Sequence, residues 1–160
     1  MAMAKFFKPG DWRSGAYRDQ TFIFASGIAT VQQFFAQLYA NPDTTQEPFS
    51  AGRQMSNHFV TRNFEENGDT TALANQKNVA ADMAPTASQM PRSVGIALAS
   101  KLFRNSSSLK ELTHLSNNGN EICFCTIGDA STSEGHFWET INAAGVLQIP
   151  LAVFIWDDGY

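Results

Sequence analysis

The chain has 160 residues and 43% of them are hydrophobic, which is enough for one domain with a buried core. Its net charge of −4 argues against nucleic acid as the main partner, because phosphate backbones attract basic surfaces. There is no signal-peptide core and no apolar run of membrane-spanning length, and Cys123 and Cys125 lie too close along one strand for an ordinary disulfide. We expect reduced core thiols and a cytoplasmic location.

The first half of the chain predicts one clear helix. Residues 1–16 show little periodicity and are predicted to form a loop. Residues 21–39 carry apolar side chains in steps of four and three, which predicts one continuous helix with a single apolar face. That face consists of Phe24, Ile28, Val31, Phe35 and Leu38. Residues 42–57 are predicted to be a loop, and the polar residues 61–82 to be partly mobile.

The second half predicts alternating helices and strands. Helical spacing begins near Met90, with Pro91 in the first turn. A buried strand is predicted over Glu121–Ile127, then a helix over Phe137–Leu147 and a second strand over Leu151–Trp156. Strands that are apolar on both faces are typical of a parallel sheet covered by helices. The prediction is therefore an α/β fold with helices on both faces of a parallel sheet, joined by a right-handed crossover.

Acidic turns follow both of these strands. Asp129 comes after the first strand and Asp158 after the second. Ligands of open parallel sheets bind outside the carboxyl ends of the strands, and Mg²⁺ prefers oxygen ligands that it shares with phosphates. The amides of Ala130 and Ser131 would favour an anion at the same edge. The two turns predict a metal and diphosphate site, although acidic residues after strands are also ordinary loop residues.

Four blocks of the sequence resemble, in order, motifs of the thiamine-diphosphate-dependent 2-oxo acid dehydrogenases. GDASTSEGHFWETINAAGVLQIP, from Gly128, resembles the motif that begins GDG and closes further along with NN. YRDQ, from Tyr17, resembles the Tyr-Arg pair that contacts the cofactor. GRQMSNHF, from Gly52, and APTASQMPRSVG, from Ala84, resemble loops of the branched-chain, 2-oxoisovalerate-type members. Pyruvate members usually carry a GGSMH-type sequence in place of the GRQMSNH loop, so the chain is most similar to the branched-chain alpha-type component.

The resemblance implies a thiamine-diphosphate-binding fold and a role for each matching residue. Residues that would contact thiamine diphosphate are Tyr17, Arg18, Ala84, Thr86, Gly128, Ala130 and Ser131. Magnesium would be held by the carboxylates of Asp129 and Asp158 and by the backbone carbonyl of Tyr160. No catalytic residue follows with certainty; His58 is a candidate for the substrate or cofactor pocket, with a structural role equally open.

The resemblance also implies an activity and partners. The family decarboxylates a 2-oxo acid oxidatively and passes the acyl group to the lipoyl arm of an acyltransferase. A beta-type thiamine domain, separate or fused, supplies the activating glutamate, for which this chain offers no candidate. We therefore expect residues 1–160 to be one incomplete diphosphate-binding domain, cut at both ends, and to be inactive in isolation.

The sequence departs from the family's motif at two points, and alternative functions therefore stay open. Ala130 replaces the glycine of the motif, where a left-handed backbone would cost about 1 kcal/mol or more. Asp157-Asp158 replaces Asn-Asn, which retains oxygen ligands but adds negative charge. The alternatives are another thiamine enzyme, such as a pyruvate, acetoin or transketolase-like protein, or a scaffolding domain without chemistry. Arg18 as an ion-pair partner of Asp19 or other nearby acids, and Tyr17 as a packing residue, also stay open.

Overall fold

The structure, a computed structural model, describes residues 2–54 and 56–159. The helices in these ranges are α1 (Ala2–Phe6), α2 (Gln20–Ala25), α3 (Val31–Leu38), α4 (Gln89–Asn105) and α5 (Gly135–Leu147). The strands are β1 (Trp12–Ser14), β2 (Asn78–Val79), β3 (Cys123–Gly128) and β4 (Leu151–Trp156). Short 3-10 turns cover Tyr17–Asp19, Leu73–Asn75, Ser107–Leu109 and Ala130–Ser133. None of the helices described is long and apolar enough to cross a membrane.

The strands form one parallel sheet in the order β2-β1-β3-β4. β3 is buried along its whole length, and β4 pairs with it from Cys123↔Leu151 to Gly128↔Trp156. Because both strands run in the same direction and end in register, the turns that follow them leave the same edge of the sheet. The predicted adjacency of the two acidic turns is therefore present.

Separate apolar clusters cover the two faces of the sheet. One cluster gathers α1 and α2 around Phe124, whose ring stacks on Phe154 at a centroid distance of 5.7 Å. The other places Met90 of α4 and Phe137 of α5 against Cys125. Successive β3 side chains point to opposite faces, so each cluster receives alternate residues of one strand. The α/β class with helices on both faces is confirmed, and Cys123 and Cys125 are buried free thiols.

The prediction of one continuous helix over residues 21–39 is wrong. The segment forms α2 and α3, which are separated by a break at Gly27, whose φ of +71° is left-handed. A capping box at Thr30 and Gln33 then starts α3 anew. The predicted apolar face is also not a core face throughout, because Val31, Phe35 and Leu38 are exposed.

Two segments predicted as irregular contain strands of the sheet. The predicted loop over residues 1–16 holds α1 and the central strand β1, and the polar segment 61–82 holds β2. β1 has three residues and β2 has two, which is too short for alternation to be read. β2 also begins with Asn78, whose buried side-chain amide donates to the carbonyl oxygens of Gly10 and Leu73.

A buried arginine in β1 joins the elements around the carboxyl edge. Arg13 is fully buried, and its Nε and Nη2 donate to Oδ2 of Asp19 at 2.9 and 2.6 Å. Its Nη1 lies 2.6 Å from Oδ1 of Asp82. The other carboxylate oxygen of Asp82, Oδ2, accepts a hydrogen bond from the amide of Phe59 at 2.9 Å. A Cβ at Gly15 would overlap both partners of the Arg13–Asp19 pair, so that position needs glycine. One cation thus fixes β1, the 17–19 turn and the loop that follows β2.

A buried carboxylate organises the loop before His58. Glu47 is fully buried, and its oxygens accept the amides of Phe49, Ser50 and Gly52 and the Ser50 hydroxyl. Burial on its own would raise the pKa of Glu47, but these hydrogen bonds together hold that pKa below its ordinary value of 4.5. The ionised side chain therefore shapes the turn that begins the GRQMSNHF segment.

Replacing the buried arginine tests whether the fold depends on it. Arg13→Met should lower the free energy of unfolding by about 3–5 kcal/mol, because two buried carboxylates lose their cation. Urea denaturation followed by circular dichroism measures the change. Arg62→Met is the matched control, since Arg62 is exposed and should change stability by about 0.5 kcal/mol at most. A loss at Arg13 no larger than that control would contradict the prediction.

The depressed pKa of Glu47 makes stability depend on pH. Its stabilising contribution should be complete above pH 4.5, the ordinary pKa, and should be lost as pH falls through the lower folded-state pKa. The difference in unfolding free energy between wild type and Glu47→Gln should therefore shrink on acidification below pH 4.5. Denaturation curves at several pH values measure it, with the exposed Glu111→Gln as control. A difference that is constant with pH would argue against an ionised Glu47.

Candidate functional site

A cavity of about 230 Å³ opens at the carboxyl ends of β1, β3 and β4, and we call it the edge cavity. Its lining includes all seven residues predicted to contact the cofactor, namely Tyr17, Arg18, Ala84, Thr86, Gly128, Ala130 and Ser131. These residues come from the 17–19 turn, the loop before α4 and the end of β3 with its following turn. The structure thus brings together three of the four sequence blocks in one cavity.

Arg18 brings positive charge to the lining of the edge cavity. Its side chain is 39% exposed, and its guanidinium carbon lies 5.6 Å from the ring centroid of Tyr17. Nη2 of Arg18 lies 3.7 Å from Oδ2 of Asp158, so its acidic partner is Asp158, whereas Asp19 pairs with Arg13. A Cβ at Gly128 would overlap Nη1 of Arg18. The glycine of the GDA turn therefore leaves room for the guanidinium to lie across the strand end.

The two acidic turns leave neighbouring strand ends. The amide of Asp129 donates to the carbonyl of Trp156 at 3.2 Å, which continues the β3–β4 ladder to the start of the first turn. Asp158 follows two residues after Trp156 and is partly exposed, and Oδ1 of Asp157 accepts the amide of Gly159 at 2.9 Å. Tyr160, the third predicted metal ligand, lies outside the described residues. Among those described, no three or more His, Cys, Asp or Glu side chains cluster as a metal site.

The turn after β3 accommodates Ala130 without strain. Ala130 opens a 3-10 turn and is not among the described residues with positive φ, so the expected cost of replacing glycine does not arise. Both the amide and the hydroxyl of Thr132 donate to the carbonyl of Asp129, at 2.9 and 2.6 Å. The first amides of such a turn have no partner inside it. Anion binding by the amides of Ala130 and Ser131 stays a prediction.

A second cavity, of about 400 Å³, adjoins the edge cavity and shares Tyr17 and Ala84 with it. We call it the adjoining cavity; it is also lined by Ser56, Asn57 and His58. His58 is 5% exposed, and its Nδ1 lies 3.1 Å from the carbonyl of Ser56. Its Nε2 is buried and has no hydrogen-bond partner among the described residues. The structure therefore places His58 beside the predicted pocket, and its role stays a prediction.

Several residues of the edge cavity were not predicted. Asp19 and Trp156 line it, and Nε1 of Trp156 donates to Oδ1 of Asp19 at 2.6 Å. Thr126 also lines it, donating its hydroxyl to Asp19, while its carbonyl accepts Nε2 of Gln89 at 2.8 Å. Asp19 lies inside the YRDQ block and Gln89 inside APTASQMP, so position within a block was the available signal. Nothing in the sequence identified Trp156, which reads as the last residue of a buried strand.

The electrostatics of the edge favour a bound cation. Asp129, Asp157 and Asp158 lie in the turns that follow β3 and β4, next to the edge cavity but not in its lining, and Asp158 is 3.7 Å from Arg18. These carboxylates are oxygen donors of the kind that Mg²⁺ uses, and the edge cavity of about 230 Å³, which Gly128 and Arg18 line, has room for a phosphate group. A diphosphate alone would meet net negative charge there, whereas a diphosphate with a divalent cation would not. The donor set therefore fits a metal–diphosphate ligand.

Comparison with known proteins identifies the family of this chain. The family model described as "Dehydrogenase E1 component" matches residues 1–160. The chain is 27% identical over 157 residues to the mitochondrial 2-oxoisovalerate dehydrogenase subunit alpha of Caenorhabditis elegans, covering 98% of the chain and 29% of that protein. It is 26% identical over 144 residues to 2-oxoisovalerate dehydrogenase subunit alpha of Bacillus subtilis (strain 168), covering 90% and 34%. The chain thus spans 29% and 34% of the lengths of these two relatives.

A substitution at Gly128 tests whether Arg18 needs the space beside this glycine to bind diphosphate. Gly128→Ala should weaken binding of inorganic diphosphate with Mg²⁺, by about tenfold at most, because the added Cβ displaces only the flexible tip of Arg18 and a charge-assisted hydrogen bond is worth about 1.5–3 kcal/mol. Isothermal calorimetry on the natively assembled protein measures the dissociation constant. Gly145→Ala is the matched control, since a Cβ there meets nothing within 4 Å. Equal affinities in the two variants would show that Arg18 does not need this space.

Proposed function

The chain belongs to the family of dehydrogenase E1 components, and we propose that it binds the diphosphate group of thiamine diphosphate together with a metal ion. The observation that carries the proposal is the edge cavity, where three sequence blocks converge beside two acidic turns. The ligand would be thiamine diphosphate with Mg²⁺. The rest of the cofactor site would come from a beta-type thiamine domain, in a separate subunit or fused.

The proposed reaction is the oxidative decarboxylation of a branched-chain 2-oxo acid. Two observations support this substrate class: the relatives named 2-oxoisovalerate dehydrogenase subunit alpha, and the GRQMSNHF block that resembles branched-chain members. The acyl product would pass to the lipoyl group of an acyltransferase. We also propose a cytoplasmic location for the protein.

The residues of this chain would bind and orient the cofactor. Arg18 would donate to diphosphate oxygens from its place above Gly128, with Tyr17 beside it. Asp129 and Asp158 would hold Mg²⁺, and the carbonyl of Tyr160 would complete the protein's share of ligands. Thiamine diphosphate, when bound, supplies the electron sink for the electron pair left as carbon dioxide departs. Because no glutamate among the described residues lines the edge cavity or the adjoining cavity, we assign proton transfer at the cofactor ring to the beta-type domain.

The adjoining cavity would take the reacting end of the cofactor and the substrate. It joins the edge cavity at Tyr17 and Ala84, so a ligand anchored by its diphosphate at Arg18 can extend toward His58. Oδ2 of Asp82 accepts a hydrogen bond from the amide of Phe59, the residue after His58. The side chain of Gln37 donates to the backbone carbonyl of His58 and accepts from its amide. We assign His58 to the wall of this cavity. Because Nδ1 faces the carbonyl of Ser56, Nδ1 donates in the neutral ring, and Nε2 is left as an acceptor that suits a hydrogen-bond donor of the ligand.

Cofactor titration and substrate choice test this function together. In the natively assembled protein, thiamine diphosphate should quench intrinsic fluorescence only when Mg²⁺ is present, and 3-methyl-2-oxobutanoate should be turned over faster than pyruvate. Asp129→Asn should weaken the Mg²⁺-dependent binding by about tenfold, because a charged ligand to the metal is lost. The control is Asp69→Asn, which alters an exposed carboxylate in the 65–70 turn.

The outcomes separate the candidate functions. Mg²⁺-dependent binding with turnover of sugar phosphates would favour a transketolase-like enzyme. Binding without turnover of any 2-oxo acid, in the presence of the beta-type partner and acyltransferase, would favour a scaffolding domain. Failure to bind thiamine diphosphate with Mg²⁺ would refute the proposal.

A further inference from the structure

The ion pair between Arg18 and Asp158 joins the two groups that the proposed function assigns to different ligands. Nη2 of Arg18 and Oδ2 of Asp158 lie 3.7 Å apart, and the side chains are 39% and 38% exposed. Asp158 stands where the resembling motif carries asparagine, which has no charge to pair with arginine. The pair therefore depends on a departure of this chain from the resembling motif.

We propose that Asp158 exchanges partners: it pairs with Arg18 in the metal-free protein and binds the divalent cation in the metal-bound protein. In this way metal binding releases Arg18 for the diphosphate. The inference rests on the proposed function, because it assigns an order of binding to the same site. The metal binds first or together with the diphosphate, and a diphosphate without metal meets an occupied arginine.

The surroundings of Arg18 permit the exchange. Among the described residues its guanidinium makes no hydrogen bond, and its other close neighbours are the ring of Tyr17 and the backbone of Gly128. An exposed pair of this kind is weak, so a cation with two positive charges can displace the arginine. The same cation then repels the guanidinium from Asp158 and attracts phosphate oxygens to the space that Arg18 borders.

The neighbouring carboxylate supplies a matched control. Asp157 carries the same charge one residue earlier, but its Oδ1 accepts the amide of Gly159 at 2.9 Å, and no ion pair joins it to Arg18. Asp157→Asn and Asp158→Asn therefore change the net charge of the turn equally. Only the second removes the partner of Arg18.

Calorimetric titration with inorganic diphosphate tests the exchange in the natively assembled protein. In metal-free buffer Asp158→Asn should bind diphosphate about fivefold more tightly than wild type, the upper range for an exposed ion pair. Asp157→Asn should stay within about twofold of wild type, since it leaves the pair of Arg18 and Asp158 in place and a single exposed charge contributes little in water. At saturating Mg²⁺ wild type should bind at least as tightly as Asp158→Asn.

A second background separates pairing from general repulsion. On an Arg18→Gln background, the gain from Asp158→Asn in metal-free buffer should fall to less than half. Equal gains from the Asp157 and Asp158 substitutions, or a full gain on the Arg18→Gln background, would overturn the inference and leave the proposed function in place. Absence of diphosphate binding by every protein at saturating Mg²⁺ would overturn both.

Discussion

The guanidinium of Arg13 lies without solvent exposure between the carboxylates of Asp19 and Asp82, and the shape of the candidate site depends on it. Burying three charges is expensive unless each is paired and hydrogen-bonded. Here Asp19 also accepts the Thr126 hydroxyl and the Trp156 indole, so its pair reaches β1, β3 and β4. Asp82 extends the network to the amide of Phe59, beside His58. The network thus fixes the walls of both cavities.

Consecutive residues of the 17–19 turn serve opposite purposes. The Asp19 side chain points inward and is satisfied by buried donors, which holds the turn against the sheet. That anchorage leaves Arg18 projecting outward over Gly128, partly exposed and without a hydrogen bond among the described residues. A guanidinium on a rigid base loses little freedom when it meets a planar or tetrahedral oxyanion. The buried pair stabilises the fold, and the exposed arginine remains available to a ligand.

The second half of the chain was predictable and the first half was less so, for physical reasons. β3 and β4 are continuous apolar runs bounded by turn residues, α5 is long enough for helical spacing to identify it, and the acidic turns follow the ends of the two strands. β1 has three residues, too few for alternation to be read, and it carries Arg13, a residue type that is rarely buried. The helical spacing of Val31, Phe35 and Leu38 is real, but the break at Gly27 turns that stripe to solvent. The partner of Arg18 was missed because Asp19 is adjacent in sequence while Asp158 is adjacent in space.

In the proposed site, the charge balance at the carboxyl edge would link the metal to the diphosphate. Asp129, Asp157 and Asp158 give this edge more negative charge than Arg18 offsets, so a bare diphosphate would be repelled, whereas a divalent cation would be attracted by the carboxylates and would attract phosphate in turn. Coupling of this kind is reciprocal, so any factor by which the metal raises diphosphate affinity is the factor by which diphosphate raises metal affinity. A carboxylate at position 158 increases the negative charge that the metal must offset. In the proposed site, aspartate at position 158, which departs from the resembling motif, would therefore strengthen the dependence of one ligand on the other.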